Sequence, residues 1–197
     1  MITKEKKEMH LSQTIERILF DEKDIDAIVS RLAREIEDDY RELVSDGDKL
    51  VVVGLLNGSV QFMADLVRKI DLPLQMQFIF TSSYGASTVS NGNVQIHTAK
   101  CSEVLEDPSA HILIIEDIVD SGNTLSHVMK LLSEKNNKSV KLCALFDKPD
   151  RRVTPVQVDY IGERVPDEFI VGYGLDYNEN YRNLAYVGVL KREVYEQ

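Results

Sequence analysis

A chain of 197 residues can fold as one domain with a substantial core, and its formal net charge of −10 argues against nonspecific binding to nucleic acid or an acidic membrane, though not against small anions. Cys101 and Cys143 are the only cysteines and show no metal-ligand spacing, which speaks for a reducing compartment rather than a disulfide scaffold. No apolar run reaches membrane-spanning length, and the charged stretch Met1–His10 lacks the apolar centre of a signal peptide, so the expectation is a soluble, cytoplasmic chain.

Residues 1–10 read as a flexible tail, and 11–197 as a single domain. Ile25, Ile28, Val29, Leu32, Ile36 and Leu43 recur at helical spacing among charges, which predicts an amphipathic helix over 24–44, ended by Asp46-Gly47-Asp48. Leu50–Leu56 reads as a buried strand and Asn57-Gly58-Ser59 as a tight turn. Residues 60–70 read as a helix with Phe62, Met63, Leu66 and Ile70 facing in, broken at Leu72-Pro73. Leu74–Phe80 is the next strand. Residues 82–93 are rich in Ser, Thr, Gly and Asn with little to pack, which predicts a mobile loop, after which Val94–Thr98 returns as a strand. A strand and helix follow from 112 to about 134, then a strand at Val140–Phe146, where Cys143 reads as a core residue. Short strands at Val158–Ile161, Phe169–Val171 and Ala185–Leu190 complete the chain. Strands alternating with helices predict an α/β fold with a mostly parallel sheet and right-handed crossovers.

The most informative stretch is Ile112-Leu-Ile-Ile-Glu-Asp-Ile-Val-Asp-Ser-Gly-Asn-Thr-Leu125. Its apolar run has no polar break and reads as a strand buried on both faces. Asp120-Ser121-Gly122-Asn123-Thr124 reads as the turn at the strand's carboxyl end, where open α/β sheets bind ligands, and a helix opens at Leu125. Unpaired N–H groups of such a loop, with the positive end of the helix dipole, suit a phosphate. Glu116, Asp117 and Asp120 would repel a bare phosphate. They make sense facing sugar hydroxyls, a Mg²⁺ ion, or a proton to be taken. A helix cap would account for one such residue, but not for Glu116 and Asp117 adjoining a buried strand.

This stretch resembles the phosphoribosyl-pyrophosphate (PRPP) motif of type I phosphoribosyltransferases: an apolar run, two acids, two apolar residues, an acid, Ser or Thr, Gly, any residue, Thr. Leu55-Leu-Asn-Gly-Ser-Val-Gln-Phe-Met-Ala-Asp-Leu66, Ser82-Ser-Tyr-Gly85, Leu145-Phe-Asp-Lys-Pro149 and Pro166-Asp-Glu-Phe-Ile-Val-Gly-Tyr-Gly-Leu-Asp-Tyr177 are similar to consecutive landmarks of the hypoxanthine-guanine branch of that family. The Asp-Ser-Gly-Asn-Thr-Leu loop is similar to that of its bacterial members, and the resemblance runs from about Ile15 to the C-terminus. It implies the type I fold: a mostly parallel twisted sheet flanked by helices, with a core at about 45–160 and a small hood from N-terminal and C-terminal segments, mostly the latter. It implies purine salvage, with the 5-phosphoribosyl group passing from PRPP to hypoxanthine or guanine to give IMP or GMP plus pyrophosphate, assisted by Mg²⁺. Oligomers are common in the family, so a homodimer or homotetramer is the expectation.

On that resemblance Glu116 and Asp117 bind the ribose hydroxyls, directly or through Mg²⁺. Asp120 accepts the purine proton, and Ser121, Gly122, Asn123, Thr124 and Leu125 surround the 5-phosphate. Asn57 and Gly58 receive pyrophosphate on main-chain N–H groups, beside a non-proline cis peptide at Leu56-Asn57 that sequence rules would never suggest. Arg182 adds a planar cation for the pyrophosphate. Lys148 reads the purine 6-oxygen, Phe169 stacks on the ring, the backbone at Ile170 addresses its edge, and Asp176 contacts Mg²⁺ or its waters. Ser83 and Tyr84 open a catalytic loop that closes over the transition state. Asn57 departs from the Lys or Arg of many relatives, and residues 85–93 carry no basic residue. His10, His97, His111 and His127 share no metal-ligand spacing and read as structural. Two rivals stand beside this reading. One is a type I enzyme for xanthine or adenine, where Lys148 with Phe169 argues against adenine. The other is a PRPP-binding regulator acting on RNA, against which the acidic charge argues.

Overall fold

The structure, a computed structural model, describes residues 11–83, 94–97 and 102–196. A 3-10 turn at Leu11–Thr14 precedes strand β1 (Ile15–Phe20) and helix α1 (Glu22–Ser45). Then come β2 (Lys49–Leu56), α2 (Val60–Val67), β3 (Leu74–Ser83), β4 (Val94–His97), α3 (Ser102–Leu105), β5 (Ala110–Val119) and α4 (Asn123–Ser133). The chain continues through β6 (Ser139–Asp147), a 3-10 turn at Pro149–Arg151, β7 (Tyr160–Arg164), β8 (Ile170–Val171), β9 (Val187–Leu190) and α5 (Arg192–Tyr195).

Asp21 starts α1 through a reciprocal cap: its carboxylate accepts from the N–H groups of Lys23 and Asp24, and Asp24 accepts from the N–H of Asp21. The buried stripe includes Ile25, Ile28, Val29, Leu32 and Ile36, as the spacing predicts, but Leu43 is 37% exposed. The stripe advances instead in steps of four, from Ile36 to Tyr40 to Val44, which follows the inclination of that row to the helix axis. Phe62, Met63, Leu66 and Ile70 are buried, although α2 itself ends at Val67.

The main sheet has strand order β4-β3-β2-β5-β6-β7, with β3, β2, β5, β6 and β7 parallel and β4 antiparallel to β3. Alternate residues of the buried strands enter opposite layers. Val52, Leu113, Ile115, Cys143 and Leu145 pack with α1 and α2. Val51, Val53, Ile112, Ile114, Leu142 and Ala144 pack with Leu125, Val128 and Leu132 of α4. Cys143 is thus a core residue, and burial pushes its thiol well above the ordinary range. His111 is buried between Ser139 Oγ at 2.7 Å and Asp48 Oδ2 at 3.0 Å, a structural arrangement. Among the described residues no helix is long and apolar enough to cross a membrane.

The hood is an antiparallel sheet of order β1-β9-β8, with Phe20 opposite Val187 and Ile170 opposite Val189. One of its three strands comes from the N-terminal segment and two from the C-terminal segment. Several strand limits differ from expectation: β3 runs on to Ser83, and β8 and β9 begin at Ile170 and Val187. The strand expected at Val158–Ile161 lies at Tyr160–Arg164, because pairing with Cys143–Asp147 of β6 sets its limits. β5 runs through Glu116 and Asp117 to Val119, held by β6 in register from Glu116↔Ala144 to Val119↔Asp147, and ends just before Asp120, where the turn is expected. The expected tail at 1–10 and the part of the expected mobile loop at 84–93 lie outside the described residues.

Candidate active site

Strands β2, β5 and β6 point their carboxyl ends the same way, ending at Leu56, Val119 and Asp147. The motif loop leaves β5 there and enters α4. Gly122 sits at φ 83°, and a β-carbon on it would lie 2.3 Å from Thr154 O, so the turn needs glycine twice over. Asn123 begins α4, two residues earlier than expected. Among the described residues, the N–H groups of Ser121, Gly122, Thr124 and Leu125 find no acceptor in the chain. These are the orphan donors of a helix start, and they suit an anion. Asn123 Oδ1 accepts from Thr154 Oγ1 at 2.5 Å. The Leu125 side chain is buried in the core, so only its backbone can face the loop.

Glu116 and Asp117 are half-buried neighbours near the end of β5. Burial, with the Asp117 charge beside it, holds the Glu116 carboxyl well above the usual carboxylate range. Burial also pushes Asp117 up to about 6, opposed by the N–H of Ile118 at 2.8 Å and by the charge of Arg182. Across from them the Leu56-Asn57 peptide is cis, as the resemblance implies. Asn57 is exposed, while Gly58 lies directly against the Asp117 carboxylate. Arg182 donates from Nη1 to Gly174 O at 2.7 Å and pairs with Asp176 Oδ1 at 2.8 Å. Its Nε is buried without a partner.

Beside this acidic edge lies a cavity of about 490 Å³ between the sheet and the hood. Asp117, Asp120, Lys148, Phe169, Ile170 and Asp176 all line it. Lys148 is only 5% exposed, and its Nζ donates to Glu168 O at 2.8 Å. Burial lowers its ammonium below the ordinary lysine value, against the pull of the Asp120 and Asp167 carboxylates. Phe169 is stacked on Tyr195 at 4.8 Å and meets Tyr177 edge-on at 5.5 Å. Asp120 Oδ1 stands 3.3 Å from Arg151 Nε, yet no donor has hydrogen-bond geometry to it.

The fold therefore brings the acids, the motif loop, Lys148, Phe169 and Ile170 together at the carboxyl ends of the strands, with Asn57, Gly58 and Arg182 beside the acids rather than in the cavity wall. Ser83 ends β3, whereas Tyr84 lies outside the described residues. Sequence reasoning missed Glu16, Arg151, Arg192 and Tyr195 in the cavity wall. Arg151 follows Lys148 closely and carried a local signal. Glu16, Arg192 and Tyr195 come from the two ends of the chain and carried none.

Residues 18–178 match the phosphoribosyl transferase domain family. The chain is 44% identical over 186 residues to hypoxanthine-guanine phosphoribosyltransferase of Bacillus subtilis (strain 168), covering 94% of this chain and 99% of that protein. It is 44% identical over 183 residues to the bifunctional protein TilS/HprT of Listeria innocua, where the match covers 93% of this chain and 27% of the longer protein. The crystal structure of a hypoxanthine phosphoribosyltransferase from Staphylococcus aureus superposes with a TM-score of 0.87 at 41% identity, covering 97% of this chain and 100% of that one.

Proposed function

The chain belongs to the phosphoribosyl transferase family, and on that premise we propose that it transfers the 5-phosphoribosyl group of PRPP to hypoxanthine or guanine, giving IMP or GMP and pyrophosphate. One observation carries this reading. Lys148, Phe169, Asp120, Asp117 and Asp176 line one cavity of about 490 Å³, a volume suited to a small molecule.

In the reaction a purine nitrogen bonds to C1 of the ribose as the C1–O bond to pyrophosphate breaks, and positive charge grows at C1. Glu116 and Asp117 hold the ribose hydroxyls, which keeps C1 in line with the incoming nitrogen. Asp120 takes the purine proton: its Oδ1 receives no hydrogen bond from the chain, and among the described residues its carboxylate is paired only with the Arg151 guanidinium at 3.3 Å. Lys148 donates to the 6-oxygen of the base, which favours 6-oxopurines over adenine, whose 6-amino group is itself a donor. Phe169 carries the ring, supported from Tyr195, and the backbone at Ile170 addresses the ring edge. The N–H groups of Ser121–Leu125 receive the 5-phosphate. Asn57, Gly58 and Arg182 receive the leaving pyrophosphate through main-chain donors and a guanidinium.

The residues fit Mg²⁺. Glu116 and Asp117 are adjacent hard oxygen donors, and burial drives both toward their neutral forms, at Asp117 in spite of the Arg182 charge. Among the described residues no group of three His, Cys, Asp or Glu could hold a metal unaided, so the protein offers partial coordination only. Glu116 and Asp117 would hold the ion, with Asp176 acting through water and the remaining positions left to waters and substrate oxygens. When bound it neutralises charge on the leaving pyrophosphate. The proposed setting is a cytoplasmic homodimer or homotetramer, measurable by sedimentation.

A turnover assay with radiolabelled hypoxanthine, guanine, xanthine and adenine, each with PRPP and either Mg²⁺ or chelator, tests the reading. Nucleotide should form from hypoxanthine and guanine, and chelator should abolish it. Preference for adenine would overturn the base assignment, and full turnover in chelator the metal.

A further inference from the structure

Residues 148–154 hydrogen-bond the carbonyl groups of the motif loop, and Lys148 and Arg151 of this segment also line the cavity. Val119 O accepts from Lys148 N at 3.0 Å, and Ser121 O accepts from Val153 N and Thr154 N, both at 2.9 Å. Between them Arg152 donates from Nε to Asp120 O at 3.0 Å and from Nη2 to Val119 O at 3.2 Å. Its Nη1 reaches Val156 O at 3.4 Å, and Nη2 also bonds the Asp147 carboxylate. The Arg152 side chain is 17% exposed and that of Asp147 8%, so the pair is sheltered from solvent. Neither residue lines the cavity.

We infer that Arg152 is a positioning residue for the 5-phosphate: it holds the carbonyl side of the motif loop so that the N–H side faces the ligand. The physical reason is the planar trans peptide, in which C=O and N–H point in opposite directions. Binding Asp120 O from below turns the Ser121 N–H away from the 148–156 segment, and binding Ser121 O does the same for the Gly122 N–H. A guanidinium suits this task because its donors form a rigid fork that meets several carbonyls at once, whereas a lysine ammonium is a single point. Asp147 fixes the fork from the end of β6 and balances its charge. The same segment begins with Lys148, so the donor that reads the base and the loop that holds the phosphate share one hydrogen-bonded unit. The inference rests on the reading of Ser121–Leu125 as the 5-phosphate site.

The test compares wild type with Arg152→Met, Arg152→Lys and the double variant Arg152→Met/Asp147→Asn. The double variant removes the buried carboxylate that methionine would leave with only the exposed Arg164 at 4.0 Å. Calorimetric titration with Mg²⁺ present measures two probes: IMP, which carries the 5-phosphate, and pyrophosphate, which does not. The Met and double variants should weaken IMP roughly 10–100-fold, the effect of one or two lost hydrogen bonds to a charged group, with pyrophosphate affinity unchanged. In steady state the KM for PRPP should rise more than kcat falls, and Arg152→Lys should recover only part of the loss. Equal weakening of both probes would make Arg152 merely structural, and unchanged IMP affinity would detach it from the loop; either result overturns the inference. Failure of the wild-type chain itself to bind IMP would instead overturn the reading of the loop.

Discussion

Gly58 is packed against Asp117 so closely that a β-carbon at position 58 would sit 1.9 Å from Asp117 Oδ2. Gly174 extends the stack, since a β-carbon there would lie 2.1 Å from Gly58 O. Two glycines thus let the turn after β2, the acids of β5 and the hood segment before Asp176 touch. Gly58→Ala should therefore lose nearly all activity while the protein stays folded, because the methyl group displaces the Asp117 carboxylate. Asn57→Ala should keep most activity, because that side chain is exposed and the proposed reading gives the pyrophosphate to main-chain donors. Kinetics in PRPP, with circular dichroism as the folding check, decide. Equal damage from both variants would make the Asn57 side chain a direct ligand.

Asp120→Asn should cut turnover with little effect on PRPP binding. The change keeps the shape of a side chain whose Oδ1 is buried and has no hydrogen-bond donor, but removes the base. General-base assistance is worth on the order of 10²–10⁴-fold. Turnover of hypoxanthine within a few-fold of wild type would leave Asp120 as a loop residue only.

Lys148→Met should lower use of hypoxanthine and guanine while leaving PRPP affinity nearly intact. A lost charge-assisted hydrogen bond costs roughly 1.5–3 kcal/mol, read here in kcat/KM for the base. An unchanged preference across the purines would show that Lys148 does not read the 6-oxygen.

The same residue carries a pH signature. Burial lowers the Lys148 ammonium below its ordinary 10.5. Between the folded value and 10.5 the folded chain binds fewer protons than the unfolded chain, so this group's contribution to stability rises with pH through that window. Below the window the buried charge is a cost, and Lys148→Met removes it. Urea unfolding of the ligand-free proteins should show methionine's advantage over lysine largest near neutral pH and shrinking in alkali. A difference that stays flat with pH would mean the ammonium titrates like a free lysine.

How much could be read before the chain was folded differed by element. The buried run of β5 and the small-residue turn after it were legible because their signals are local: an unbroken apolar run, then Ser121, Gly122 and Thr124 within a few positions. Helix α1 was legible by its period, and its inward row drifted from Leu43 to Val44 only at the last turn. Strand β1 was not legible. Its six residues do not alternate between buried and exposed, and its partner β9 begins at Val187.

The order of apolar and acidic residues along the chain determined the α/β class, the small-residue turn after β5 and the identity of the acids, because each depends on neighbours a few residues apart. Only the tertiary structure decided what those acids experience. Burial at the sheet edge raises Glu116 and Asp117, and the close approach of Gly58 to Asp117 joins loops that are distant in sequence. It alone placed Arg152 beneath the loop and brought Glu16, Arg192 and Tyr195 from opposite ends of the chain to one cavity. Contacts between residues far apart in sequence leave no period or spacing to read, because they arise only when strands pair and helices pack.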